Sequence, residues 1–203
     1  MNSDHTYNYS ELFFFFRFEE YEVCEHRFLD HALLHAYSGR LMIETYGQRI
    51  QLEEKESVFI RKGTHARITS LESENPSRIA MLRFPDNFLR EFYFTTDKTE
   101  FSRSDPEKHF FPLRPQEDLD SLFGSMLPYY GTIMQPIGKV LKLKIIEGIY
   151  ALLRIGDVFY SLLFGFAREG KTDIFDLLAE PYVLPFHRYR VDKTTLEPYN
   201  KLN

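Results

Sequence analysis

Leu33-Leu-His-Ala-Tyr-Ser-Gly-Arg-Leu-Met-Ile-Glu-Thr-Tyr-Gly-Gln-Arg-Ile-Gln-Leu52 reads as three short β-prone segments divided by two glycine turns. The segments are Leu33–Tyr37, Leu41–Thr45 and Arg49–Leu52, and Ser38-Gly39 and Tyr46-Gly47 place a glycine where a tight hairpin needs φ > 0. The same rhythm extends outward. Upstream lie Leu12–Phe18 and Tyr21–Cys24; downstream lie Ser57–Ile60, Ala66–Ser70 and Arg78–Phe84, with polar breaks at Glu53 to Glu56, Lys62-Gly63-Thr64 and Glu72 to Ser77. Short strands with turn chemistry about every eight to twelve residues predict a β-sandwich or small barrel. Phe13 to Phe16 are four consecutive phenylalanines, which predicts a strand buried on both faces, because an exposed run of that kind aggregates.

Beyond Phe84 the period changes. Pro85-Asp86-Asn87 starts a short helix through Phe88, Leu89 and Phe92, and a loop with Pro106, Pro112 and Pro115 follows. From Glu117, the positions Leu119, Leu122, Phe123, Met126, Leu127 and Tyr130 share one helical face. A second helix spans about Ile137 to Ile155, ended by Gly156-Asp157; its stripe is Leu141, Ile145, Ile149 and Leu152, and Gly148 within it permits close approach. Val158, Phe159, Leu162, Leu163 and Phe166 mark a third helix closed by Gly170, and Asp173 caps a fourth with Ile174, Leu177 and Leu178. The fold class is therefore α+β, a β-barrel or jelly roll followed by a small helical segment. Its expected divisions are 1–115 for the barrel, 116–180 for the helices and 181–203 for a tail.

Composition narrows the function. The 203 residues include 20 Phe and 13 Tyr, enough apolar bulk for one well-filled core. Lys and Arg number 25 against 30 Asp and Glu, and the resulting charge of −5 excludes nucleic-acid or membrane attraction by bulk field. One cysteine, Cys24, makes no internal disulfide and reads as a small buried hydrophobe. No leader pattern or membrane-length apolar run is evident, so a cytoplasmic protein without a membrane partner is expected.

The chemistry-bearing residues are sparse. The sequence has no G-x-S-x-G, no P-loop and no G-x-G-x-x-G. Histidines at 26, 31, 35 and 65, with Glu44, invite a metal hypothesis. On one strand, however, His31 and His35 stand about 13 Å apart at roughly 3.3 Å per residue, too far to share an ion held at roughly 2 Å. Neither a metal, a cofactor nor a catalytic residue is expected. For a small ligand inside the barrel, His35 and Tyr37 are the candidate contacts, because they share a strand face and carry polar atoms. The parity that faces inward is not fixed by the sequence.

Phe28-Leu-Asp-His-Ala-Leu-Leu-His-Ala-Tyr-Ser-Gly39-Arg-Leu-Met-Ile-Glu44 and Ser57-Val-Phe-Ile-Arg-Lys-Gly63 together resemble the cupin-like N-terminal domain of AraC-family transcriptional regulators, in the subgroup common among Bacteroidetes. Phe88–Tyr93, Leu122–Tyr130 and Leu162–Ile174 agree with the same subgroup. The resemblance implies a barrel that senses a small-molecule effector or a protein, a helical segment that pairs two subunits, and a DNA-binding domain of about 100 residues with two helix-turn-helix units. A homodimer is expected, with Leu141, Ile145, Gly148, Ile149 and Leu152 at its interface; the competing reading packs that stripe on the barrel. The tail from Tyr182 resembles a fragment of the first helix-turn-helix, interrupted by Pro198 and carrying four cations against two anions. DNA contact is thus expected only through a full-length or missing helix-turn-helix domain. The alternative function is a small metal-dependent cupin enzyme.

Overall fold

The computed structural model describes residues 6–9, 12–96, 107–130, 138–166 and 187–190. Eleven strands occur among them: β1 (Thr6–Tyr9), β2 (Phe13–Phe18), β3 (Glu22–Arg27), β4 (His31–Ser38), β5 (Leu41–Thr45), β6 (Gln48–Leu52), β7 (Ser57–Ile60), β8 (His65–Ser70), β9 (Ser77–Phe84), β10 (Phe110–Leu113) and β11 (His187–Arg190). Four α-helices accompany them, α1 (Asp86–Thr95), α2 (Glu117–Met126), α3 (Gly138–Ile155) and α4 (Asp157–Phe164), with a 3-10 turn at Leu127–Tyr129 after α2. The strands form two antiparallel sheets. Sheet A has the order β1-β2-β9-β4-β7-β10 and sheet B the order β11-β3-β8-β5-β6. This is the α+β arrangement read from the sequence, a sandwich backed by helices.

Gly39 and Gly47 adopt φ of +79° and +82°, the left-handed conformation their hairpins require. Gly39 is also sterically confined, since a Cβ there would lie 2.6 Å from the Ser77 Cα. Sheet A is buried on both faces, and its residues alternate between two cores. Phe14, Phe16, Leu34, Val58, Ile79 and Met81 face sheet B. Phe13, Phe15, Leu33, Phe59, Leu82 and Phe84 face the helices. Phe13 to Phe16 thus form the doubly buried strand that the sequence predicts, with none more than 4% exposed.

Three strands were not read from the sequence: β1, β10 and β11. β10 is hidden by Pro112, which an edge strand tolerates because β10 pairs only with β7. β11 lies in the tail and pairs with β3. The expected helix from Asp173 and the Gly170 stop lie outside the described residues.

Candidate functional site: the junction of sheet A and the helices

His35 and Tyr37 sit on the face of β4 that meets the helices, not on the face lining the sandwich. The ring of His35 stacks on Phe123 of α2, centroids 4.5 Å apart and planes 8° from parallel. Its Nδ1 shares a 3.0 Å hydrogen bond with Ser57 Oγ on the neighbouring β7. Tyr37 occupies a β-bulge, the point between Ala36 and Ser38 where the β4–β9 register shifts. Bulges re-aim side chains. The Tyr37 hydroxyl donates 2.7 Å to the backbone carbonyl of Phe123, in the last turn of α2. One strand therefore grips one helix through a stacked ring and a hydrogen bond.

Electrostatics follow from burial. The His35 pKa falls to about 4, because desolvation disfavours the imidazolium more than the nearby Asp120 carboxylate favours it. Burial pushes the Tyr37 phenol upward. Both are neutral polar handles near pH 7. His31 lies on the same strand face and stacks on Phe59 at 5.4 Å, while its Nδ1 accepts the Lys62 backbone N–H at 3.2 Å. Among the described residues no three His, Cys, Asp or Glu side chains gather in a geometry that could hold a metal. Cys24 is 1% exposed inside the sandwich.

Among the described residues one small cavity lies inside the sandwich. Phe16, Phe18, Cys24, Phe28, Leu34, Leu41, Ile68, Ile79 and Met81 surround a cavity of about 10 Å³. That is room for about one water and not for an organic effector. The partners of His35 lie far along the chain, Ser57 22 positions away, and no local spacing could have named them.

α3 carries the second group of sequence-derived residues. Leu141, Ile145, Ile149 and Leu152 are at most 1% exposed and belong to the core shared with sheet A. Gly148 does admit a close approach, but to β9: a Cβ there would lie 2.9 Å from Leu82 and 3.4 Å from Phe84. The stripe expected at a dimer interface is therefore covered within one chain. The correction has a simple cause: α3 is apolar on more than one side. Away from the sheet, Leu143 is 62% and Tyr150 48% exposed, with Ile146 and Leu153 half-buried. These four recur at spacings of three, four and three, a heptad seam fainter in the sequence than the buried stripe.

Among the described residues no helix is long and apolar enough to cross a membrane. Residues 31–157 match the family model of the ExsA N-terminal regulatory domain, from β4 to the start of α4. No curated protein matches the chain significantly by sequence. The fold is similar to apo ToxT from Vibrio cholerae, with 13% identity and a TM-score of 0.55 over 75% of this chain and 57% of that one. ToxT bound to an unsaturated fatty acid aligns at 12% identity and a TM-score of 0.49, covering 73% of this chain and 56% of that one. A cupin-2 domain protein from Shewanella frigidimarina aligns at 23% identity and a TM-score of 0.31, over 36% of this chain and 69% of that one. The chain thus spans 57% of the length of apo ToxT.

Proposed function

The chain belongs to the ExsA N-terminal regulatory domain family, and from that premise we propose that it is the sensing and pairing module of a cytoplasmic AraC-type transcription regulator, regulatory and not catalytic. The observation that carries the pairing part is the outward seam of α3. Two α3 helices crossing antiparallel about position 148 would set Leu143 of each against Leu153 of the other and Ile146 against Tyr150, a self-complementary contact of the kind a two-fold dimer requires.

Sensing is assigned to the junction of sheet A and α2. His35 and Tyr37 are the proposed effector contacts there, because they bring a ring nitrogen and a hydroxyl to the point where β4 meets α2. An effector that accepts the Tyr37 hydroxyl competes with the Phe123 carbonyl and releases the last turn of α2, which packs against α3. The signal then reaches the pairing helix through one packed neighbour. An unsaturated fatty acid, the ligand seen in ToxT, is a reasonable first compound to try, and a protein effector acting on the same helix is the other.

The test is to fuse the chain to a monomeric DNA-binding domain that represses a two-half-site reporter only when paired. The fusion should repress, Leu143→Asp with Ile146→Asp should abolish repression, and Tyr37→Phe should repress but lose any response to effector. Repression no better than that of the DNA-binding domain alone overturns the reading.

A further inference from the structure

Sheet B would end at β3 were it not for β11. This four-residue strand runs antiparallel to β3, with His187 opposite Glu25, Arg188 opposite Cys24, Tyr189 opposite Val23 and Arg190 opposite Glu22. An edge strand presents unpaired N–H and C=O groups, and an added strand gains affinity from them and specificity from its side chains. Tyr189 donates its hydroxyl to Glu25 Oε1 at 2.9 Å across a separation of 164 residues. Yet Tyr189 is 42% exposed and Arg190 is exposed, so this end of the strand buries little apolar surface. A four-residue strand at the edge of a sheet, with Tyr189 and Arg190 exposed, belongs to the low-stability end of a fold.

The edge is also chemically selective. Glu19, Glu20, Glu22 and Glu25 lie in the β3 strand and the turn before it; Arg17 pairs with Glu19 at 3.2 Å and Arg67 of β8 stands opposite Glu25, which leaves four carboxylates against two cations. The turn that presents them is tied down: the Glu22 N–H donates to the Glu19 carbonyl at 3.1 Å, and Glu22 Oε2 accepts the Glu19 N–H at 2.9 Å. Tyr21 takes a φ of +57° in this turn and donates its hydroxyl to Glu72 Oε2 at 2.9 Å. Because β11 runs antiparallel to β3, its C-terminal end points past Glu22 toward this turn. There Glu19, Glu20 and Glu74, with Ser70, Ser73 and Asn75, line an open cleft of about 180 Å³. The strand that occupies the edge, His-Arg-Tyr-Arg, has two arginines and no acid. On the outer face beside Val23, Thr69 is 1% exposed and its Oγ1 has no hydrogen-bond partner among the described residues.

We propose that the β3 edge and the Glu19–Glu22 turn form a docking site for an extended, arginine-bearing peptide segment, which β11 occupies in cis and can yield to a second segment of the same chemistry on a partner protein. The preference for arginine comes from Glu22 facing Arg190 in register and from the glutamates beyond it. The extended form comes from the ladder. Nothing in this site involves α3, so its failure and the failure of pairing are separable.

The experiment uses the full chain carrying Arg188→Pro with Tyr189→Pro. Alternate residues of an antiparallel strand donate to a given neighbour, so two adjacent prolines remove a ladder donor whichever residue supplies it. A fluorescent peptide of the sequence Phe186 to Lys193 is titrated into this variant, into the unaltered chain, and into the variant with Glu22→Arg and Glu25→Arg added. The peptide should bind the opened variant with a Kd on the order of 100 μM, and at least about tenfold more weakly both to the unaltered chain, where β11 competes, and to the charge-reversed form. Hydrogen exchange of the unaltered chain supplies a readout that needs no variant. The β3 amides that face β11 should exchange at least about a hundredfold faster than the alternate β3 amides that face β8. Absence of binding to the opened variant, binding indifferent to charge reversal, or β11-facing amides of β3 as protected as those facing β8 would each overturn the proposal.

Discussion

His35 lies under Phe123, and charging it there means ionising a ring whose pKa burial lowers from 6.5 to about 4. His26 and His31 are likewise lowered to about 4, in each case chiefly by burial. In the unfolded chain all three titrate near 6.5, so between pH 6.5 and 4 the unfolded state binds more protons than the folded one. Stability is therefore complete above 6.5 and is lost as pH falls toward 4, by up to about 1.4 kcal/mol per pH unit for each imidazole. The urea midpoint should fall steadily from about pH 7 to about pH 4.5. His35→Phe with Ser57→Ala keeps the ring stack and leaves no orphan hydroxyl, and it should flatten that fall; an unchanged slope contradicts a neutral His35. The shared face of His35 and Tyr37 was legible from strand alternation. Which core that face meets was not, because His31 to Ala36 are all buried and the usual apolar–polar alternation is missing.

At the scale of elements, α3 shows where a sequence pattern is informative and where it is not. The buried stripe was placed correctly within its helix, but burial by the same chain and burial by a second chain have the same apolar signature. The second seam is masked by Lys142 and Lys144, which flank Leu143. The two faces should separate under mutation. Ile149→Ala removes a wholly buried side chain from the sheet-facing core and should lower unfolding free energy by about 2–5 kcal/mol. Leu143→Asp changes a 62% exposed position and should alter the free energy of unfolding of the isolated chain by no more than about 0.5 kcal/mol. Chemical denaturation at low protein concentration distinguishes them, and a large loss from Leu143→Asp would mean that this face is already covered within the chain. Among strands, β5 and β7 were readable to the residue because turn chemistry brackets them on both sides. Pro112 concealed β10. β11 carries charge at alternate positions and gains its strand character from pairing with β3, a long-range cause that local reading does not contain.

Across the whole molecule, sheet A is the wall that both cores share. Its inner face closes the sandwich against sheet B and its outer face supports the helices, so His35 and Tyr37 lie against α2 and not against sheet B. The run Phe13 to Phe16 foretold that wall, since only a strand with apolar layers on both sides accommodates four adjacent phenylalanines. The helices and the seam of α3 turn this architecture into a two-chain proposal, and the molecular mass in solution tests it most directly. Sedimentation equilibrium of the chain at tens of micromolar should give twice the monomer mass, and Leu143→Asp at the same concentration should give the monomer mass by placing an unpaired charge in the seam. A monomer for the unaltered chain at about 100 μM, or an unaltered dimer for Leu143→Asp, would contradict pairing through α3.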